Sequence, residues 1–122
     1  MIIIKTDKAP APVGPYCQGR VVGNFVFTSG QIPIDPETGI MAEGISAQTD
    51  RACRNLGAIL EAAGTDFSKV IKTTCFLAEM SDFAAFNEVF AKYFPATAGR
   101  SCVAVKDLPK GALCEIEAIA EL

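Results

Sequence analysis

Apolar residues recur along the chain at two different spacings, and the switches between them delimit the elements. Between 46 and 63, Ala52, Leu56, Ile59, Leu60 and Ala63 follow one another at spacings that put them on one side of a helix. Ser46 suits the start of that helix as its cap, and Gly64 suits its end. A second helix is predicted from Ser81 or Asp82 to about Tyr93, with Phe83, Phe86, Val89, Phe90 and Tyr93 along one side and Pro95 as the stop. The remaining apolar runs are short and rich in β-branched and aromatic residues, so 2–5, 16–22, 24–28, 70–78, 100–106 and 113–121 read as strands. Gly23-Asn24 suits a tight turn, Asp35-Pro36-Glu37-Thr38-Gly39 another, and 107–111 connects the last two strands. The Pro-rich stretch 9–15 is excluded from helix. Strands, helix, strand, helix and two strands in that order define an α+β domain with both helices on one face of a mixed sheet.

Side chains alternate between the faces of a strand, so parity assigns them. The apolar residues of 70–78 fall on both parities, which predicts cover on both sides. In 113–121 the even positions Cys114, Ile116, Ala118 and Ala120 are apolar and should meet the helices, leaving Glu115, Glu117 and Glu121 on the other face. In 100–106, Ser101, Val103 and Val105 read as core-facing, with Arg100, Cys102, Ala104 and Lys106 opposite. If these two strands pair as a hairpin, matching core faces puts Arg100 and Cys102 on one face with Glu115 and Glu117. That face is either a solvated surface with weak ion pairs or a pocket, alone or at a subunit interface.

A length of 122 residues suits one domain, spanning 1–122. Half the residues are hydrophobic and 20% are charged. That apolar excess fits an oligomer that hides surface between subunits and equally a well-filled monomer. The net charge of −3 and the absence of any Lys/Arg run give nucleic-acid binding no support. Five cysteines without a C-x-x-C pair, and no histidine, argue against a zinc site and a disulfide scaffold, and point to reduced thiols in the cytosol. The lack of histidine also excludes a Ser–His or Cys–His nucleophile pair. The apolar run Ile2-Ile3-Ile4 is far too short for a signal segment or a membrane span.

Six blocks, in order along nearly the whole chain, resemble the Rid (RidA/YjgF) family. They are Gly14-Pro15-Tyr16-Cys17-Gln18-Gly19, Thr28-Ser29-Gly30-Gln31-Ile32-Pro33, Phe83-Ala84-Ala85-Phe86-Asn87, Gly99-Arg100-Ser101-Cys102-Val103-Ala104-Val105, Leu108-Pro109-Lys110 and Glu115-Ile116-Glu117-Ala118-Ile119-Ala120. Each is weak alone; together they are specific. The resemblance implies a chorismate-mutase-like α+β fold with a six-stranded mixed sheet. It implies a homotrimer in which the sheets form a central barrel, with clefts between subunits. The implied activity is that of a 2-iminobutanoate/2-iminopropanoate deaminase, which hydrolyses 2-aminoacrylate and related imino acids to 2-keto acids and ammonia without metal or organic cofactor.

By the same resemblance, Arg100 grips the substrate carboxylate, for which a planar fork suits better than an ammonium. Glu115 positions or activates the attacking water as a general acid/base. Cys102 shapes the cleft, Tyr16 touches substrate, Gly30 allows close backbone approach, Asn87 helps close the cleft, and Ser29 is a further cleft residue. Gly99 departs from the family, which usually has Pro-Ala before the arginine, so the preceding loop is expected to be more flexible. Two other readings compete: a non-catalytic trimer that binds keto acids as a regulator, and a ribonuclease. An acidic chain without a histidine pair ranks the ribonuclease low.

Overall fold

The computed structural model describes residues 2–122. Six strands, β1 (Ile2–Ile4), β2 (Gly19–Val22), β3 (Phe25–Thr28), β4 (Val70–Leu77), β5 (Gly99–Ala104) and β6 (Cys114–Glu121), form one mixed sheet in the order β1-β2-β3-β6-β4-β5. Every neighbouring pair is antiparallel except β4 and β5. Two helices, α1 (Ile45–Ala63) and α2 (Phe83–Phe90), complete the domain. Parallel neighbours cannot be joined by a tight turn, and here α2 lies in the connection from β4 to β5.

The periodic apolar side of α1 lies on the sheet. Cys53, Leu56 and Leu60 pack with Phe86 of α2 and with Cys75, Leu77, Cys114 and Ile116 of the central strands. Ile59 closes a second cluster with Ile4, Val21 and Val26. Gly64 ends α1 in the left-handed conformation, its N–H donating back to Glu61. At the other end Ser46 is not the cap: the helix begins after Gly44, and no side chain caps it. Neither Ser81 nor Asp82 caps α2 by a side chain, and α2 stops at Phe90 rather than Tyr93. Beyond Phe90 the chain continues in tight turns, with the Tyr93 and Phe94 amides both donating to Phe90 O before Pro95.

Two expectations about the last strands are corrected. They do not form a hairpin: β6 inserts between β3 and β4, and β5 pairs with the far side of β4. The parity assigned to β5 is therefore reversed. Cys75 of β4 lies opposite Ile116 of β6 and Cys102 of β5, so Cys102 faces the helices, and Arg100 shares its parity. Glu115 lies across from Phe76 and Val103, and Glu117 from Thr74 and Ser101, on the opposite face. The β6 assignment holds, with Cys114, Ile116, Ala118 and Ala120 all buried. The error on β5 has a physical cause. A short edge strand with alanine, serine and cysteine on it carries little polarity contrast, and sequence adjacency is a poor guide to pairing when a helix has already carried the chain across.

Cover on both sides of β4 is met on the helix side. On the other face of the sheet Ile3, Val22, Phe25, Phe27 and Val103 are between 40% and 51% exposed. They share this face with Arg20, Glu115, Glu117 and Glu121, and large apolar side chains left half-exposed together are a candidate surface for contact.

Candidate functional site

The predicted site residues fall into two groups on opposite faces of the sheet. The first surrounds Arg100 at the start of β5. Its guanidinium Nη1 donates to Asn87 Oδ1 at 2.7 Å, and its Cζ lies 5.4 Å from the ring centre of Phe83 and 5.1 Å from that of Phe90. Residues 83, 87 and 90 are four and three apart, so α2 presents them on one side toward the arginine. The two rings and the amide orient the cation without neutralising it, and among the described residues no carboxylate forms an ion pair with it. Asn87, expected to help close a cleft, is here the side chain that holds Arg100.

Cys102 is two residues along β5 on the same face, partly buried against the main core. Desolvation pushes its thiol up from the ordinary cysteine value, and the nearby Arg100 charge only partly opposes this. It therefore stays a neutral thiol at neutral pH, which speaks against a nucleophile and for a shaping role.

The second group surrounds Glu115, half-buried on β6. Desolvation, then the neighbouring Glu117 charge, raises its carboxyl above the ordinary glutamate value. Gly30 packs against it so closely that an added Cβ would lie 2.9 Å from Glu115 Cδ. The space at Gly30 thus belongs to the glutamate's own carboxylate. The contact is fixed by backbone: Gln31 N donates to Ile116 O at 2.8 Å and Ile116 N to Gln31 O at 3.2 Å. Tyr16, half exposed, accepts from the Val13 amide at 3.3 Å through its hydroxyl, and it lines a cavity with Gly30 and Glu115. Ser29 is adjacent, but its hydroxyl donates to Cys17 O at 2.6 Å and so ties two loops together.

Four contributors escaped the reading of the sequence. The sequence places Phe83 and Phe90 along one side of the second helix without giving them a role, and their spacing to Asn87 brings all three toward Arg100. Gln18 is buried and uses its amide on the Pro-rich segment, donating to Thr6 O, Ala9 O and Pro10 O and accepting from Thr6 N. Asn55, inside α1, donates to Ile32 O at 3.1 Å and Ile34 O at 2.8 Å, and so holds the loop after Gly30 against the helix. A buried amide in an apolar helical side is the one signal that could have drawn attention to Asn55. Among the described residues no group of three His, Cys, Asp or Glu side chains converges to hold a metal, and no helix is long and apolar enough to cross a membrane.

In chemical terms, a small α+β domain offers an oriented cation for an anionic ligand at one place and a desolvated acid/base at another. The model of the family described as endoribonuclease L-PSP matches residues 6–122. The 2-iminobutanoate/2-iminopropanoate deaminase of Salmonella typhimurium is 49% identical over 121 residues, covering 96% of this chain and 94% of that protein. The putative regulator AldR of Lactococcus lactis is 48% identical over 124 residues, covering 100% of this chain and 98% of that protein. The crystal structure of RidA from an Antarctic Psychrobacter superposes with a TM-score of 0.96 at 45% identity, covering all of both chains. The chain belongs to the YjgF/RidA family. At the level of the family this supports RidA-type deamination of reactive intermediates, while the names regulator and endoribonuclease also occur among its relatives.

Proposed function

We propose that this protein hydrolyses 2-imino acids, including the tautomer of 2-aminoacrylate, to 2-keto acids and ammonia, in clefts completed by a second copy of the chain. The observation that carries the proposal is the state of Arg100, a guanidinium oriented by Asn87, Phe83 and Phe90 and left without a carboxylate partner. A planar fork in that state suits a 2-imino acid carboxylate.

The reaction adds water across the C=N bond. Water oxygen bonds to C2 as Glu115 takes a proton from it and passes that proton to nitrogen, giving the carbinolamine. Glu115 then takes the hydroxyl proton as the C–N bond breaks and the leaving nitrogen receives it, so ammonia departs and the C2 carbonyl remains. A carboxyl raised by burial is a stronger base than an ordinary glutamate for taking these protons. Cys102 and Ser29 shape the walls, and Tyr16 and Gly30 border the reacting end. No metal or organic cofactor takes part.

Arg100 and Glu115 of one chain lie on opposite faces of the sheet, so they meet only if different copies supply them. The apolar outer sheet face is the contact for such copies. A homotrimer of chorismate-mutase-like domains, its three sheets closed into a barrel, satisfies both requirements. The five cysteines, all free thiols, suit the cytosol.

The test is 2-keto acid release from 2-aminoacrylate generated in the cuvette, followed by subunit mixing. Arg100→Ala and Glu115→Gln are each expected to be nearly inactive. Refolded together one to one, they should regain about a quarter of wild-type activity, since random assembly gives that share of sites both intact groups. Wild type without acceleration over the uncatalysed rate overturns the enzyme, and mixing without recovery overturns the shared cleft. The relative named as a regulator favours one alternative, a trimer that binds keto acids in the same clefts without turnover. Keto-acid affinity in a protein that accelerates nothing would establish it.

A further inference from the structure

The side chains that aim Arg100 stand on α2, a helix of eight residues with no side-chain cap at its start. A helix so short is marginal by itself and takes its position from what it is packed against and tied to. Past Phe90 the Tyr93 and Phe94 amides donate back to Phe90 O, so both aromatic side chains are set by the end of the helix. The Tyr93 hydroxyl donates to Asp50 Oδ1 on α1, and Asp50 Oδ2 accepts from Arg54 Nε at 2.7 Å. Burial alone would raise the Asp50 carboxyl, but the hydrogen bonds from Tyr93 and Arg54 outweigh it and hold the group below the ordinary aspartate value. Asp50 is therefore ionised at neutral pH, and the bond from Tyr93 is charge-assisted. Rings continue the tie inward. Phe90, 5.1 Å from Arg100 Cζ, stacks on Phe94 with ring centres 4.3 Å apart and planes 16° apart. Phe94 meets Phe67 edge to face at 5.0 Å, and Phe67 lies 5.5 Å from Tyr93. Phe67 comes this close to α1 because position 57 is glycine: a Cβ there would stand 2.8 Å from the Phe67 ring. Glycine inside a helix is less stable than alanine, and the approach of Phe67 accounts for its presence here.

Resting on the proposed deaminase reading, we infer that Asp50 and Tyr93 are positioning residues for Arg100: their hydrogen bond fixes the end of α2, and with it the Phe90 ring and the aim of the guanidinium. They act through Phe90 and the stacked rings behind it, not by contact with the arginine. A guanidinium whose ring wall shifts loses the fork geometry that a carboxylate needs. The loss falls on the grip of the carboxylate and not on proton transfer, because Glu115 stands on the other face of the sheet and is held by different contacts.

The experiment compares full-length wild type with Tyr93→Phe, Asp50→Ala and Asp50→Asn, and thermal midpoints confirm that each variant is folded at the assay temperature. Two quantities are read: KM and kcat with the imino acid that an amino-acid oxidase makes from 2-aminobutyrate, and the Kd of 2-oxobutanoate by titration calorimetry. Tyr93→Phe keeps the ring and removes only the hydroxyl. It should raise KM and Kd about 3- to 10-fold, the range of one hydrogen bond, with kcat nearly unchanged. Asp50→Ala should match it, and Asp50→Asn, which keeps an acceptor, should recover most of the loss. In an Arg100→Ala background Tyr93→Phe should lower kcat/KM no further, since the group it positions is gone. A lower thermal midpoint with unchanged KM and Kd, or an undiminished effect in the Arg100→Ala background, overturns the positioning role and leaves the deaminase standing. Absence of turnover in wild type overturns the proposed function, and the Kd of 2-oxobutanoate then decides the positioning role by itself. Wild type that neither turns over nor binds 2-oxobutanoate overturns both.

Discussion

Arg100 and Glu115 occupy opposite faces of one sheet, and different kinds of structure hold them. Side chains hold the arginine: an amide and two rings projected from one side of α2. Backbone holds the glutamate: a glycine that leaves it room and a pair of main-chain hydrogen bonds that lock the glycine's loop to β6. Their environments differ in the same sense. Arg100 is exposed and has no carboxylate partner among the described residues, whereas Glu115 is half-buried and is pushed toward its neutral form. A group that must bind an anion needs charge and orientation. A group that must exchange protons needs an adjusted affinity for them, and burial supplies it.

The sharpest break in this comparison is Glu115→Gln. Loss of a general acid/base lowers kcat by about 10²–10⁴-fold. The wild-type pH profile of kcat/KM carries an acid limb above the ordinary carboxylate range, because the ionised form accepts the proton and its pKa is raised. The same shift gives a stability prediction of opposite sign. The folded state binds this proton more tightly than the unfolded chain, so the ionised group destabilises the fold fully above its folded pKa and not at all below its unfolded one. Glu115→Gln should therefore raise the thermal midpoint at neutral pH, and the gain should fade as pH drops through the raised value. Calorimetry across pH checks it; an equal or lower midpoint at neutral pH would contradict the burial argument.

Arg100→Ala comes next, with kcat/KM lower by about 10²–10³-fold, the cost of removing the charge partner of a substrate carboxylate once the proposed second copy closes the cleft over it. Arg100→Lys should recover only a small part of this, since an ammonium neither forks to a carboxylate nor stacks between two rings in the same way. Equal activity of the lysine variant in the keto-acid assay would show that only charge matters there.

Gly30→Ala tests the backbone side. The added methyl overlaps the Glu115 carboxyl group, so the carboxylate must move. Displacement of a catalytic group by about an ångström lowers turnover about 10²-fold. Because Arg100 is on the other face, the loss should fall on kcat and spare KM. A loss confined to KM would mean that Gly30 serves the substrate rather than the glutamate.

These two sides were not equally legible in the sequence. The helices and strands were, because α1 and β6 carry long and unambiguous apolar patterns. The face of Glu115 followed from the strict alternation of β6, which it shares with Glu117 and Glu121; the resemblance singled Glu115 out among them. Arg100 was assigned to the wrong face, because β5 is short, sits at an edge, and pairs in parallel with β4 across the α2 connection rather than with the strand that follows it. Parity is informative only where one face is fully buried, and no residue of β5 is. The contacts that hold the site were the least visible. Phe83 and Phe90 carry the same letters whether they fill a core or flank a guanidinium. Gly30 could be read as a turn residue until the glutamate was found against it.

The smallest expected effect concerns those rings. Phe83→Leu keeps an apolar side chain of similar reach on α2 and removes one of the two rings beside Arg100. A cation–ring contact at an exposed site contributes about 0.5–1 kcal/mol, so KM should rise about 2- to 5-fold with kcat nearly unchanged. Asn87 and Phe90 still orient the guanidinium in this variant, which is why the effect is small. Adding Phe90→Leu should more than double the free-energy loss, since two rings that confine one cation act together rather than independently. Strict additivity of the two substitutions, read from KM in a double-mutant cycle, would mean that the rings serve only as ordinary packing and that the Asn87 hydrogen bond alone aims Arg100.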